Sequence, residues 1–210
     1  MVRIKVCGLT RLEDALAAAR LGADALGFVF APSPRRIEPD LAAAIIRELP
    51  PFVLTVGVFV NESLHRIEAV RRRCGLDAVQ LHGDEDEAVV VAVRRRTGVR
   101  VIKALPAGPG VDISKSVFPG TPLLLDAGSG RVRGGTGQTC DWSLAAAVAA
   151  GRTIILAGGL NPDNVSRAVA LVKPYAVDVS SGVESEMGRK DHEKLAAFIH
   201  RARAVVRPAR

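Results

Sequence analysis

The chain has 210 residues, 48% of them apolar, and a formal net charge of +7 carried mostly by arginine. That is enough for one sizeable core, too little for two ordinary domains with a linker, and too apolar for a disordered chain. The uncharged stretch around 49–61 is too short to span a bilayer and contains Pro50, Pro51 and Gly57, and the sequence opens on Met-Val-Arg-Ile-Lys-Val-Cys without an apolar signal segment, so a soluble, cytoplasmic protein with no membrane partner is expected.

In chain order, short β-branched runs alternate with helical patterns. Strands are predicted at Arg3–Cys7, Ala25–Phe30, Val53–Val60, Ala78–His82, Arg100–Ala104, Pro122–Asp126, Thr153–Ala157 and Ala176–Ser180. Helices are predicted at Leu12–Leu21, Leu41–Leu49, Leu64–Arg73, Glu85–Arg96, Leu144–Ala150, Pro162–Val172 and Lys190–Val206, and Pro106–Pro119 is too rich in Pro and Gly to read as a clear helix. Most strands are continuous apolar runs, as strands covered on both faces are. Their ends fall 22–31 residues apart, one βα unit each. Thr10-Arg11-Leu12-Glu13 reads as a capping box for the first helix, and Asn161-Pro162 as an N-cap with proline at the first helical position. Eight such units predict an α/β fold, a single-domain (β/α)8 TIM barrel over residues 1–210. An open doubly wound sheet is the alternative, but it would place its Gly-rich turn after the first strand, whereas here the glycines cluster late.

Three cysteines, Cys7, Cys74 and Cys140, at wide spacings and without a CxxC indicate neither a disulfide framework nor a zinc site. Arg71-Arg72-Arg73 and Arg94-Arg95-Arg96 read either as a nucleic-acid footprint or as the solvated last turns of two helices. With only six Phe, one Tyr and one Trp there is no aromatic interleaving for base stacking, so no nucleic-acid partner is expected.

A barrel carries its chemistry at the C-terminal ends of its strands. Cys7 ends the first strand; it is either a small buried hydrophobe or a thiolate favoured by the dipole of the first helix. Asp126 ends the sixth, three places away around an eight-membered ring, so the two should face each other as base and acid. Ala157-Gly158-Gly159-Leu160 and Val179-Ser180-Ser181-Gly182 follow the seventh and eighth strands, where barrels often hold phosphate; the same glycines also suit plain turns. Gly134-Gly135-Thr136-Gly137 forms a third glycine cluster. Arg36 suits a carboxylate, or is a solvated loop cation. Gln80 and His82 alternate on the fourth strand and can both reach the mouth. Asp178 either faces a ligand or pairs with a core partner such as Lys5 or Lys103.

Lys5-Val6-Cys7-Gly8-Leu9-Thr10, Gly22 to Phe30, Val56 to Asn61, Val79-Gln80-Leu81-His82-Gly83, Gly134 to Gly137, Ala157 to Pro162 and Asp178 to Glu184 together resemble the phosphoribosylanthranilate isomerases of tryptophan biosynthesis, over essentially the whole chain. The resemblance implies an Amadori rearrangement of a phosphorylated aminoaldose to an aminoketose. It implies Asp126 as general acid at the furanose oxygen, Cys7 as general base at C2 and Arg36 on the anthranilate carboxylate. Gln80, His82 and Asp178 would bind substrate, with Gly135, Gly158, Gly159, Ser180, Ser181 and Gly182 around its phosphate. No metal or cofactor is implied, and the assembly is left as monomer or homodimer. The family's usual Gly-Lys-Thr-Phe-Asp-Trp reads Gly137-Gln138-Thr139-Cys140-Asp141-Trp142 here, a change expected to affect loop packing and not chemistry. The related histidine-pathway isomerase, or an enzyme serving both pathways, is the alternative, but it carries Asp where this chain has Cys7.

Overall fold

The computed structural model describes residues 1–107, 118–126 and 141–205. Eight parallel strands close into a barrel: β1 (Arg3–Cys7), β2 (Ala25–Val29), β3 (Leu54–Phe59), β4 (Ala78–Leu81), β5 (Arg100–Pro106), β6 (Leu123–Asp126), β7 (Ile154–Leu156) and β8 (Ala176–Val179), with β8 returning to pair with β1. Helices α1 (Leu12–Arg20), α2 (Pro39–Arg47), α3 (Leu64–Cys74), α4 (Glu87–Thr97), α5 (Trp142–Ala149), α6 (Val165–Val172) and α7 (His192–Arg203) wrap the outside. The predicted strands agree within one or two residues. The weakly helical segment 106–119 falls mostly outside the described residues.

Strand alternation sorts side chains between two layers. On β6, Leu123 and Leu125 face the helices within the main core, and Leu124 faces inward with Ala104, Ile155, Ala157 and Ala176. The same parity on β1 sends Ile4 and Val6 to the helices, and therefore Lys5 and Cys7 into the barrel. On β8, Val177 and Val179 go outward, so Asp178 goes in. Charged residues thus enter an otherwise apolar barrel by strand geometry alone.

Local signals set where each unit turns. Ser63, Asp86, Asp141 and Asp191 accept backbone N–H groups in the first turns of α3, α4, α5 and α7. The capping box predicted at Thr10 does not form. Thr10 Oγ1 instead donates to the Gly188 carbonyl at 2.9 Å, and α1 begins at Leu12 after an extended Arg11. Asn161 does cap a turn, accepting from Asp163 and Asn164 N–H, but the α-helix proper starts at Val165. The arginine triplets occupy the last turns of α3 and α4, where Arg73 pairs with Asp40 and Arg96 with Glu68. Helix C-termini lie at the end of the barrel opposite the strand C-termini.

One feature is absent from the sequence reading. After β8 the chain makes a short 3-10 turn (Ser181–Val183) and a small hairpin, β9 (Glu184–Glu186) with β10 (Arg189–Lys190), before α7. Among the described residues no helix is long and apolar enough to cross a membrane.

Candidate active site

The C-terminal ends of the strands surround a cavity of about 640 Å³. Its wall contains Cys7 from β1, Gln80 and His82 from β4 and the loop after it, Asp126 from β6, and Asp178 from β8. Gly158, Gly159, Ser180, Ser181 and Gly182 line the same cavity from the β7–α6 and β8 loops. Cys7 and Asp126 are buried, on strands three apart around the ring.

The polar groups are tied to one another. His82 Nε2 lies 3.4 Å from Asp126 Oδ2, and Gln80 Nε2 lies 3.0 Å from His82 Nδ1. Gln80 is buried, and its Oε1 has no hydrogen-bond partner among the described residues. Lys5 Nζ donates to Asp178 Oδ1 at 2.9 Å, so Asp178 faces the cavity and also pairs with Lys5. Lys103, the other partner weighed for Asp178, points outward and donates to Glu85 Oε2 at 2.9 Å and to the Gly83 carbonyl at 2.7 Å. Glu85 in turn accepts the N–H groups of Asn61 and Gly83, which pins the β3 and β4 loops around His82.

The cation acting on the thiol is the side chain of Lys5, and the first helix stands further along the chain. That helix starts five residues beyond Cys7, behind Arg11. Burial pushes the Cys7 thiol up from its ordinary value, and the Lys5 ammonium pulls against that rise. Burial likewise pushes the Asp178 carboxyl up, opposed by Lys5.

Arg36 does not line the cavity. It is exposed and its guanidinium pairs with Glu38 at 3.1 Å. The neighbouring Arg35 lines the wall instead, forked onto Glu184 with Nε and Nη2 each 2.7 Å from a carboxylate oxygen. Lys190 Nζ donates to the same Glu184 at 2.9 Å and to the Ser180 carbonyl at 3.0 Å. Burial disfavours the Glu184 carboxylate, but Arg35 and Lys190 outweigh it and hold the group below the usual glutamate range. Sequence reasoning missed Arg35, Glu184 and Lys190. The available signal was the pair of arginines at 35 and 36, between which the sequence alone does not choose.

The glycines of the two late loops are required by shape. Gly158 and Gly159 have φ of +80° and +62°, which favours glycine. A Cβ on Gly182 would stand 1.9 Å from the Leu160 carbonyl oxygen, so the β8 loop closes directly onto the β7 loop. Gly135, its cluster at 134–137 and Cys140 lie outside the described residues. Among the described residues no group of three or more His, Cys, Asp or Glu is placed to hold a metal ion.

A closed parallel barrel with its titratable side chains gathered at the strand C-termini defines the class: a (β/α)8-barrel enzyme. The family model described as N-(5'phosphoribosyl)anthranilate (PRA) isomerase matches residues 4–201. The chain belongs to that family. An N-(5'-phosphoribosyl)anthranilate isomerase of Geobacter sulfurreducens is 53% identical over 208 residues, covering 97% of this chain and 99% of its own. The crystal structure of phosphoribosyl anthranilate isomerase from Thermotoga maritima superposes with a TM-score of 0.90 at 46% identity, over 97% of this chain and 99% of that one. A second crystal structure, of the isomerase in complex with reduced 1-(o-carboxyphenylamino)-1-deoxyribulose 5-phosphate, gives 0.86 at 45% identity, over 97% and 99%.

Proposed function

We propose that the chain converts N-(5'-phosphoribosyl)anthranilate, an aminoaldose, into 1-(2-carboxyphenylamino)-1-deoxyribulose 5-phosphate, the third step from chorismate in tryptophan biosynthesis. The observation that carries the chemical reading is the placement of a buried thiol and a buried carboxyl group on strands three apart around one cavity. General acid–base work suits that opposition, because one proton is given at the ring oxygen and another taken at C2, the two atoms flanking C1 of one ligand.

Asp126 delivers a proton to the furanose ring oxygen. The C1–O bond breaks as the anthranilate nitrogen donates its lone pair, giving an open-chain Schiff base. Cys7 then takes the proton from C2, and the electrons of that C–H bond move toward the iminium nitrogen to give an enolamine. Loss of the C2 hydroxyl proton and protonation at C1 complete the aminoketose. His82 steadies the Asp126 side, and Gln80 and Asp178 address the sugar hydroxyls.

The phosphate is assigned to the loops at Gly158-Gly159 and Ser180-Ser181-Gly182, with Gly135 placed beside them. Their backbone N–H groups and the nearby Arg35 and Lys190 charges suit an anion. Arg36 is assigned to the anthranilate carboxylate, by rotation from Glu38 toward the mouth. This chemistry uses only the protein's own groups, with no metal or cofactor. A cytoplasmic location is supported by the family's biosynthetic role. A homodimer is supported by the apolar spot formed by exposed Phe52 and Leu54 at the start of β3.

The test is turnover of freshly made phosphoribosylanthranilate, followed by loss of anthranilate-type fluorescence. Absence of turnover by the folded protein overturns the proposal.

A further inference from the structure

Lys5 precedes Cys7 by two residues on β1, so both side chains enter the barrel from the same face. Lys5 is 3% exposed, and its Nζ is held by Asp178 across the β1–β8 seam, where the two residues are register partners. On the other side of β1, the register partner of Cys7 is Gly27. A Cβ on Gly27 would stand 2.7 Å from Cys7 Sγ and 3.1 Å from Lys5 Nζ. Sulfur and ammonium therefore crowd one space that exists because β2 has no side chain there. We propose that Lys5 is a positioning residue for the reaction: its ammonium, anchored by Asp178 and admitted by Gly27, stands beside the Cys7 sulfur and brings down the pH above which the base is available, against the opposite effect of burial. This rests on the reading of Cys7 as the base.

The physical need is plain. A buried thiolate without a nearby cation is strongly disfavoured. The charged groups facing Cys7 are Lys5 on its own strand, Asp178 from β8, Lys190 from β10 and Arg35 from the loop after β2. Asp126 and His82 stand on the far wall of the cavity. Arg35 and Lys190 share the single Glu184 carboxylate, which offsets one of their two charges and draws both toward itself. Lys5 itself stays protonated. Burial lowers its affinity for the proton, but Asp178 and Cys7 raise it further, above that of an ordinary lysine.

The experiment is the rate of iodoacetamide alkylation at Cys7 as a function of pH in the ligand-free protein, with the site of alkylation confirmed by peptide mass spectrometry. Lys5→Met is expected to move the midpoint up by about one pH unit or more, roughly tenfold slower alkylation at neutral pH, as loss of an adjacent opposite charge does. Asp178→Asn is expected to move it down, because it removes the anion and leaves the cation. The pH profile of kcat should follow the same shifts, with KM changing less in Lys5→Met, whose side chain does not line the cavity. General loosening of the barrel would expose the thiol in both variants and move both in one direction. An unmoved midpoint in Lys5→Met, or a shared direction in the two variants, overturns the proposal. If Lys5→Met does not fold, Lys5→Gln takes its place, and its midpoint must likewise rise, the direction that loosening of the barrel does not give. Normal turnover by Cys7→Ala removes the base assignment itself, whatever the alkylation shows.

Discussion

His82 Nε2 stands 3.4 Å from Asp126 Oδ2, while the other ring nitrogen meets the Gln80 amide at 3.0 Å. If the Gln80 N–H donates to Nδ1, the imidazole carries its proton on Nε2, directed at the carboxylate. The acid of the proposed reaction is thus oriented by a two-residue chain from β4. His82→Ala should leave Asp126 in place and poorly aimed. Its kcat is expected to fall roughly 10–100-fold, at the lower end of what general acid–base loss gives. Steady-state kinetics with an unchanged kcat would separate His82 from the acid.

Arg36 and Arg35 should behave differently. Arg36 pairs only weakly at the surface with Glu38, so its removal costs little stability. Arg36→Met is expected to raise KM about tenfold or more through loss of a carboxylate contact, with kcat nearly retained. A KM equal to that of the wild type would return Arg36 to the role of a solvated loop cation.

Gly182→Ala tests the phosphate loops. The added Cβ meets the backbone oxygen of Leu160, which no rotamer change can relieve, so the β7 and β8 loops must part. KM for the phosphorylated substrate should rise, and competitive inhibition by inorganic phosphate should weaken, each by at least about tenfold. Unchanged inhibition by phosphate would place the anion elsewhere.

The Lys103–Glu85 pair should dominate the acid sensitivity of the fold. Burial disfavours the Glu85 carboxylate, but Lys103 and the Asn61 N–H outweigh it and hold the group below its ordinary value. A group depressed in the folded state stabilises above its unfolded value and loses that contribution as pH falls through the folded value. Stability should therefore decline below about pH 4. Glu85→Gln strands a nearly inaccessible ammonium and is expected to cost about 3 kcal/mol at neutral pH, while flattening the acid limb. Urea unfolding at pH 7 and pH 4 measures both.

The barrel was legible because parallel strands are covered on both faces. Leu123-Leu124-Leu125 reads as such a strand, and in the barrel its parity fixes where Asp126 points. The same parity carried Gln80 and Asp178 to the mouth. What escaped was set by tertiary contact. Nothing local distinguishes Arg35 from Arg36; Glu184, 149 residues away, makes the choice. Thr10 has the sequence of a cap, but Gly188 on the β9–β10 hairpin claims its hydroxyl. That hairpin is short and polar, with no periodicity to announce it. Lys5 and Lys103 were both possible partners of Asp178 in the sequence, and the β1–β8 register decides for Lys5. The cation near Cys7 is accordingly a side chain of the same strand, anchored by barrel closure, where the sequence reading considered the dipole of α1.

The most direct measurement is single-turnover kinetics on phosphoribosylanthranilate for the wild type, Cys7→Ala and Asp126→Asn, each shown to be folded. Both variants are expected to lose at least about 10²-fold in rate while still binding the aminoketose product. A rate close to that of the wild type in either variant would contradict the assignment of base and acid.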